Sequence, residues 1–163
     1  MSQSLTAKIV LALALVGCAQ TIPNTTVEDT ADNRSVVSFM ESYRKAMEER
    51  DVRRLMEMAS PQYLDDNGTP SGADDIDYDT LRENLALWAQ RVDDVRYDIS
   101  YRRITYAPGD KVYVEVRYGG SFHISRPATE DEQWSRRLSN HRLILQKLPE
   151  AEGEDEFRIL SGM

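Results

Sequence analysis

Between Ser35 and Met58, hydrophobic residues recur every three or four positions, which is the pattern of amphipathic helices. Phe39 and Tyr43 belong to the first of two such stripes. The side chain of Asp51 can accept a hydrogen bond from the free amides at the start of a helix. We therefore expect one helix to end near Arg50 and a second helix to begin after Asp51.

A third helix is predicted after a loop over residues 63–79, which is dense in Asp, Asn, Gly and Pro. Thr80 and Glu83 have the spacing of a capping box, in which each side chain satisfies a free backbone amide. Leu85 and Trp88 follow on one helical face. These signals predict a helix that ends near residues 93–94.

From Val95 onwards hydrophobic and polar residues alternate, which predicts β-strands. The alternation slips by one position at Arg102-Arg103, as a β-bulge would produce. Gly119-Gly120 is expected to interrupt the next strand. The later strands are predicted over residues 112–124, 137–148 and 157–160. Helices followed by long antiparallel strands indicate an α+β domain, with the helices packed on one face of a curved sheet.

The start of the chain has the features of an export signal. Lys8 supplies a positive charge, and residues 9–16 are apolar without a charge or a proline. As a helix this run spans about 12 Å, too little for a hydrocarbon core of about 30 Å. The run ends in Leu15-Val16-Gly17-Cys18, which contains the only cysteine of the chain. We interpret residues 1–17 as a signal peptide.

Leu15-Val16-Gly17-Cys18 resembles the lipobox of bacterial lipoproteins. The resemblance implies cleavage before Cys18 and a diacylglyceryl group on its sulfur, with a further acyl chain such as palmitate on its amine. The lipid on Cys18 would then attach the protein to a membrane. Ala19 stands where an aspartate favours the inner membrane in enterobacterial lipoproteins, so the resemblance favours the outer membrane.

Two regions are expected after the signal peptide. Residues 18–33 are rich in Thr, Asn and acidic side chains and are predicted to be a flexible tether with a reach of about 20 Å. Residues 34–163 are predicted to form one domain, a length that can bury a core without disulfides.

The net charge of −8 argues against nucleic acid as a partner and against peripheral binding to anionic lipid, since both need a basic surface. The sequence has no serine–histidine motif and no glycine-rich phosphate loop, and it indicates no cofactor. Asp65, Asn67 and Thr69 alternate as calcium ligands do. The glycine and the glutamate that complete a calcium-binding loop are out of register, so we expect a solvated loop and no metal.

The helix pair, then Tyr63-Leu64-Asp65-Asp66-Asn67-Gly68-Thr69 followed by Gly72, then a helix and four strands, resembles the nuclear transport factor 2-like superfamily. That superfamily includes ketosteroid isomerases, SnoaL-type polyketide cyclases and non-catalytic members. The resemblance implies a cone-shaped fold that encloses a pocket. It also implies that a carboxylate base would lie in the loop after the second helix, where Asp65 and Asp66 stand.

Five residues are candidates to line the pocket. The tyrosines and the tryptophan lie on apolar faces of their elements, and His141 shares a strand face with Leu143 and Leu145, whereas His123 is expected to point outward. The alternative is that the aromatic residues are ordinary core side chains. The candidates are Tyr43, Trp88, Tyr97, Tyr101 and His141.

From these observations we expect a non-catalytic envelope lipoprotein that binds a small hydrophobic ligand or an envelope protein through its domain. Two alternatives stay open. The first is a small enzyme of isomerase, dehydratase or cyclase type, which needs His141 or an aspartate buried among the tyrosines. The second is a structural or assembly factor that forms a homodimer through its sheet.

Overall fold

The computed structural model describes residues 20–124, 133–149 and 156–163. Within these ranges three helices come before a four-stranded sheet, and two short strands lie between the second and third helices. The helices are α1 (Ala31–Glu49), α2 (Val52–Met58) and α3 (Tyr78–Arg91). The strands are β1 (Leu64–Asp65), β2 (Ile76–Asp77), β3 (Val92–Ala107), β4 (Lys111–Ile124), β5 (Gln133–Lys147) and β6 (Phe157–Ser161).

The larger sheet is antiparallel throughout, with its strands in the order β3-β4-β5-β6. Helix α1 packs across β3 and buries Phe39 and Met40. Val112, Val114 and Val116 on β4 are buried beneath the helices, on what we call the inner face of the sheet; the opposite face is the outer face. The predicted α+β class, with N-terminal helices on one face of an antiparallel sheet, is confirmed.

A β-bulge interrupts the pairing of β3 with β4 at the predicted position. Tyr101 lies opposite Val116, and Arg103 lies opposite Glu115, so Arg102 is one extra residue on β3. The slip in the hydrophobic alternation arises because this extra residue shifts every later side chain of β3 by one position.

Strand β4 continues without a break through Gly119-Gly120, so the predicted interruption is wrong. Gly120 lies opposite Tyr97 on β3 and is buried. A Cβ atom at Gly120 would lie 2.5 Å from Cζ of Phe122, two residues along the same strand. The glycine therefore makes room for the Phe122 ring to lie back over its own strand.

The N-terminal segment, which we define as residues 20–30, folds onto the domain. Val27 is only 4% exposed and belongs to the hydrophobic core. The Thr26 hydroxyl donates a hydrogen bond of 2.9 Å to the Arg102 carbonyl at the bulge. The prediction of a flexible tether over residues 18–33 is therefore wrong for the part that the structure describes. The predicted signal peptide and Cys18 lie outside the described residues.

Helix α1 begins four residues earlier than the pattern predicts because Thr30 caps it. The Thr30 hydroxyl accepts a hydrogen bond of 3.1 Å from the Asn33 amide. We expect Thr30→Ala to lower the free energy of unfolding by about 1 kcal/mol, since it leaves that amide without its partner. Urea unfolding followed by circular dichroism measures the loss. Thr30→Ser keeps the hydroxyl and should retain full stability, and equal losses in both variants would contradict the capping role.

Of the N-caps predicted for the other two helices, the one for α2 is correct and the one for α3 is wrong. Asp51 accepts a hydrogen bond of 2.9 Å from the Arg54 amide, so the predicted N-cap of α2 is confirmed. Helix α3 is capped by Asp77, whose carboxylate accepts from the Thr80 amide at 2.8 Å. The capping box predicted at Thr80 and Glu83 is therefore wrong, because a carboxylate three residues earlier already starts the helix.

Among the described residues, no helix combines the length and the apolar character that crossing a bilayer requires.

Candidate functional site

Four ring side chains lie in contact between α1 and the inner face of the sheet, and we call them the aromatic cluster. Tyr43 on α1 meets Tyr97 on β3 edge to face, with ring centroids 6.3 Å apart. Tyr97 stacks on Tyr118 of β4 at 5.4 Å. Tyr118 in turn meets the His141 ring of β5 at 5.6 Å. The aromatic cluster thus runs from the helix across three neighbouring strands.

The helix end of the aromatic cluster is closed to solvent. Tyr43 is 3% exposed and Tyr97 is 6% exposed. Burial is the main cause that raises the pKa of both phenols well above the ordinary value near 10. Both hydroxyls therefore stay protonated at neutral pH. They can donate hydrogen bonds, but they cannot serve as bases.

The other end of the aromatic cluster meets the last residues of the sequence. His141 Nε2 lies 2.9 Å from the Gly162 carbonyl oxygen, so in this contact Nε2 carries the proton and donates. The Gly162 amide donates to Asp65 Oδ2 at 2.9 Å. The Met163 amide donates to the Tyr63 hydroxyl at 3.0 Å. One residue, Gly162, therefore joins the imidazole of His141 to the carboxylate of Asp65 through its carbonyl and its amide.

His141 and Asp65 also face an open cleft of about 1250 Å³. The cleft reaches from the loop after β1 over the middle strands of the sheet. Its lining residues are Asp65, Asp66, Asn67, Gly68, Arg102, Glu115, Val116, Arg117, Leu138, Ser139, Asn140, His141, Arg142, Ile144, Ser161 and Gly162. The cleft gives a ligand access to the His141 end of the aromatic cluster.

The structure brings together three of the five residues predicted to line a pocket, namely Tyr43, Tyr97 and His141. Tyr101 is buried against α1, but its hydroxyl donates a hydrogen bond of 2.7 Å to Glu41 instead of facing His141. Trp88 is half-buried on α3, where it packs against the hydrophobic core.

Two residues of this site, Tyr118 and Tyr63, were missed by the sequence analysis. Tyr118 lies two positions after Val116 on the inner face of β4, so the alternation alone could have indicated it. Tyr63 belongs to a stretch interpreted as a solvated loop, in which the resemblance indicated only Asp65 and Asp66. Tyr63 is only 2% exposed, and no periodicity in that stretch indicates its burial.

The side chains that alternate like calcium ligands are used within their own loop. Asp65 Oδ1 accepts from the Asn67 amide at 3.1 Å, and the Thr69 hydroxyl donates to Asp74 Oδ1 at 2.8 Å. Within the described ranges, no three His, Cys, Asp or Glu side chains are grouped as metal ligands.

His123 lies on the outer face of β4, as its alternation predicts. Its ring contacts Trp134 on β5 at 5.4 Å, and its Nδ1 lies 3.6 Å from Asp93 Oδ2. It therefore takes no part in the site on the inner face.

No protein-family model matches the sequence, and no curated protein matches it. Solved structures do match the fold. A conserved protein from Planctomyces limnophilus DSM 3776 has a TM-score of 0.65 and 11% identity, over 81% of this chain and 93% of that one. A nuclear transport factor 2-like superfamily protein from Salmonella enterica has a TM-score of 0.59 and 11% identity, over 79% and 86%. A type 2 hexachlorocyclohexane dehydrochlorinase has a TM-score of 0.60 and 10% identity, over 81% and 82%.

The chain has the nuclear transport factor 2-like fold. In this nuclear transport factor 2-like domain the aromatic cluster lies between the helices and the inner face of the sheet. The identities are too low to carry any activity from these proteins to this chain, so they establish the fold alone.

Tyr63 stabilises the domain only while its phenol is protonated, so this stabilisation is lost at alkaline pH. Burial raises the pKa of its phenol from 10.0 to about 12, so the folded domain holds this proton more tightly than the unfolded chain does. Its contribution is complete below pH 10 and is lost as the pH rises towards 12.

We expect the difference in free energy of unfolding between the natural chain and Tyr63→Phe to be constant below about pH 9 and to shrink between 10 and 12. Urea titrations at a series of pH values measure this difference. A difference that stays the same up to pH 12 would contradict the raised pKa.

Proposed function

We propose that the protein is an envelope lipoprotein, anchored through Cys18, whose nuclear transport factor 2-like domain binds a small ligand without transforming it. The ligand has an apolar, ring-shaped body and an oxygen that accepts hydrogen bonds. It enters through the cleft and lies against the His141 end of the aromatic cluster. The lipobox-like Leu15-Val16-Gly17-Cys18 supports the anchoring, and Ala19 favours the outer membrane.

One observation carries the binding proposal. The stacked rings of Tyr97 and Tyr118 lead to His141, whose imidazole lines the open cleft. Ring faces and edges suit an aromatic or alicyclic ligand, and each ring pair contributes about 0.5–1.5 kcal/mol beyond the burial of its area. The hydroxyl of the half-buried Tyr118, between Tyr97 and His141, can donate a hydrogen bond and favours a ligand oxygen that accepts one.

The binding proposal is tested with the fluorescent ketone Prodan, which has a naphthalene body and one carbonyl oxygen. Its emission shifts to shorter wavelength when it enters an apolar site. We expect saturable binding to the full chain, weakened at least about ten-fold in Tyr118→Leu, because the variant lacks the ring between Tyr97 and His141.

Tyr113→Leu is the matched control, since Tyr113 lies on the same strand but on the outer face, beneath Arg142. It should bind Prodan like the natural chain. Equal affinity of the natural chain and Tyr118→Leu would show that the aromatic cluster does not bind the probe.

Anchoring is tested separately by expressing the full chain in a bacterial host and measuring its mass after extraction from membranes. We expect loss of residues 1–17 and a mass increase that corresponds to acyl chains on Cys18. The variant Cys18→Ser should keep its leader and carry no lipid. Lipid-free protein with an intact leader in both samples would refute anchoring and leave the ligand-binding experiment unaffected.

One observation favours an alternative, a small enzyme of isomerase, dehydratase or cyclase type. Asp65 accepts from the amide of Gly162 and His141 bonds to the carbonyl of the same residue, so a potential base and a potential acid both face the cleft. Exchange of the α-protons of 2-tetralone in D₂O, followed by NMR, decides between the two functions. If the natural chain exchanges these protons no faster than Asp65→Asn does, the result supports binding alone. If its exchange rate is at least about ten-fold above that of Asp65→Asn, the result supports the enzyme.

A further inference from the structure

Four arginines lie together on the outer face of the sheet, on three adjacent strands. Arg103 on β3, Glu115 on β4 and Arg142 on β5 form one row across the strands. Arg117 belongs to the next row of the outer face, between Ser100 and Asn140. Arg102 is the extra residue of the β-bulge, next to Arg103. We call Arg102, Arg103, Arg117 and Arg142 the arginine patch.

The two rows of the arginine patch contain more positive than negative charge. Glu115 Oε2 lies 4.0 Å from Arg103 Nε, at the limit of an ion pair. Arg142 lies over the Tyr113 ring at 5.6 Å. In the part of the chain that the structure describes, Arg102 and Arg117 form no ion pair, and both are exposed. Glu115 is the one carboxylate in these two rows; Asp98 lies one row further away, and Asp65 and Asp66 line another part of the same cleft.

The arginine side chains are close enough to act as one surface. Neighbouring strands lie about 4.8 Å apart, so Arg103 and Arg142 stand about 10 Å apart at the backbone. Arg102, Arg117 and Arg142 all line the cleft that crosses this face. Leu138, which is 56% exposed, and the half-buried Ile144 supply apolar contact area beside them.

The arginine patch also lies next to the N-terminal segment. The N-terminal segment is bonded to the bulge, because both the Thr26 amide and its hydroxyl donate to carbonyl oxygens of Tyr101 and Arg102. Cys18 precedes Thr26 by eight residues, and eight residues span at most about 28 Å. A lipid on Cys18 would therefore hold the bilayer surface within reach of the arginine patch.

We infer that the arginine patch docks the domain onto the anionic headgroups of the bilayer that holds the lipid of Cys18. The inference rests on the anchoring proposed above. Arginines near an anionic bilayer surface are attracted to it within a Debye length, and exposed leucine side chains can enter the headgroup region. Docking places the part of the cleft that the arginine patch lines against the bilayer, so the ligand proposed above would reach His141 through the part that Asp65 and Gly162 line.

The experiment uses the processed, lipidated protein in vesicles and a polarity-sensitive dye on a new cysteine. Ser100→Cys places the dye on the outer face beside Arg117, and Ser38→Cys places it on the exposed side of α1 as the matched control. The lipidated Cys18 does not react, so the dye labels one position.

In vesicles of phosphatidylcholine with phosphatidylglycerol, we expect the Ser100→Cys dye to report an apolar surrounding. It should report water in phosphatidylcholine alone, and the Ser38→Cys dye should report water in both. About 1 M salt, where the Debye length falls to about 3 Å, should reverse the response.

The double variant Arg102→Glu/Arg117→Glu should lower the ratio of docked to undocked protein at least about ten-fold. Arg53→Glu/Arg82→Glu makes the same change of charge at exposed helix positions and should leave the ratio unchanged. Equal losses in both double variants, or a response that is the same without phosphatidylglycerol, would overturn the proposal. So would a dye response without vesicles that grows with protein concentration, which would identify a second copy of the chain as the occupant.

A mass spectrum of the same sample separates the two proposals. Lipid on Cys18 without a dye response refutes docking and leaves the anchoring intact. If Cys18 carries no lipid, the anchoring fails. The labelled Cys18→Ser chain mixed directly with the same vesicles then decides whether the arginine patch binds anionic headgroups.

Discussion

Gly162→Ala is expected to lower the free energy of unfolding by about 3 kcal/mol, because two costs add at this position. Gly162 has a φ of +92°, which side chains of L-residues rarely adopt. An alanine Cβ would also lie 2.5 Å from the carbonyl oxygen of Arg142 and 3.2 Å from His141 Nε2. Relief of these contacts must move Gly162 away from β5, and the hydrogen bonds that it shares with His141 and Asp65 are lost.

Gly68→Ala is the matched control for backbone strain. Its φ is +68°, but no atom lies within 4 Å of the position of a new Cβ. It should therefore lose only about 1 kcal/mol. Urea unfolding of both variants measures the difference between them. Equal losses would mean that β5 yields to the new methyl group. We also expect the affinity for Prodan to fall in Gly162→Ala and to stay the same in Gly68→Ala. If β5 yields, Gly162→Ala should bind Prodan as tightly as the natural chain does.

Phe157→Ala is expected to destabilise the domain by about 3–5 kcal/mol, the cost of removing a fully buried aromatic ring from a packed core. Phe157 is 1% exposed, and its ring centroid lies 5.6 Å from that of Phe39, which is 2% exposed. This contact joins the short strand β6 to helix α1. The loss is measured as a shift in the urea midpoint.

The control for Phe157→Ala is Leu138→Ala, at a position that is 56% exposed on the outer face; it should cost less than about 0.5 kcal/mol. A double-mutant cycle with Phe39→Ala isolates the ring contact. We expect a coupling energy of about 1 kcal/mol between the two phenylalanines. A loss below about 1 kcal/mol for Phe157→Ala would show that the core can close around the missing ring.

The parts of the fold that depend on local pattern could be predicted from the sequence. Helix periodicity and the carboxylate of Asp51 located the break between α1 and α2, because both act within a few residues. The bulge at Arg102 was predictable for the same reason, since one extra residue shifts the alternation of the whole strand.

The parts that depend on distant contacts could not be predicted. Ile22 and Val27 are two apolar residues in a polar stretch and form no periodic stripe, yet both pack against the hydrophobic core. Tyr63 is buried because residues 162–163, about a hundred positions later, bond to its loop. Alternation placed Tyr97 and His141 on inner strand faces, but the ring that connects them belongs to Tyr118 on the strand between.

The arginine patch could not be predicted from the net charge, because net charge is a sum over the whole surface. The value of −8 argued against anionic lipid as a partner. Four arginines nevertheless meet on one sheet face through the pairing of β3, β4 and β5. Only strand register brings residues 102, 117 and 142 together, and register is not readable from composition.

The contact between the N-terminal segment and β3 affects how readily the domain aggregates. Strand β3 is the outermost strand on its side of the sheet and is sixteen residues long, so its free backbone groups could template the addition of a foreign strand. Thr26 occupies two of its carbonyl oxygens, and the bulge at Arg102 breaks the regular spacing of the others. A short stretch of chain before the first helix thus protects the domain against edge-to-edge aggregation.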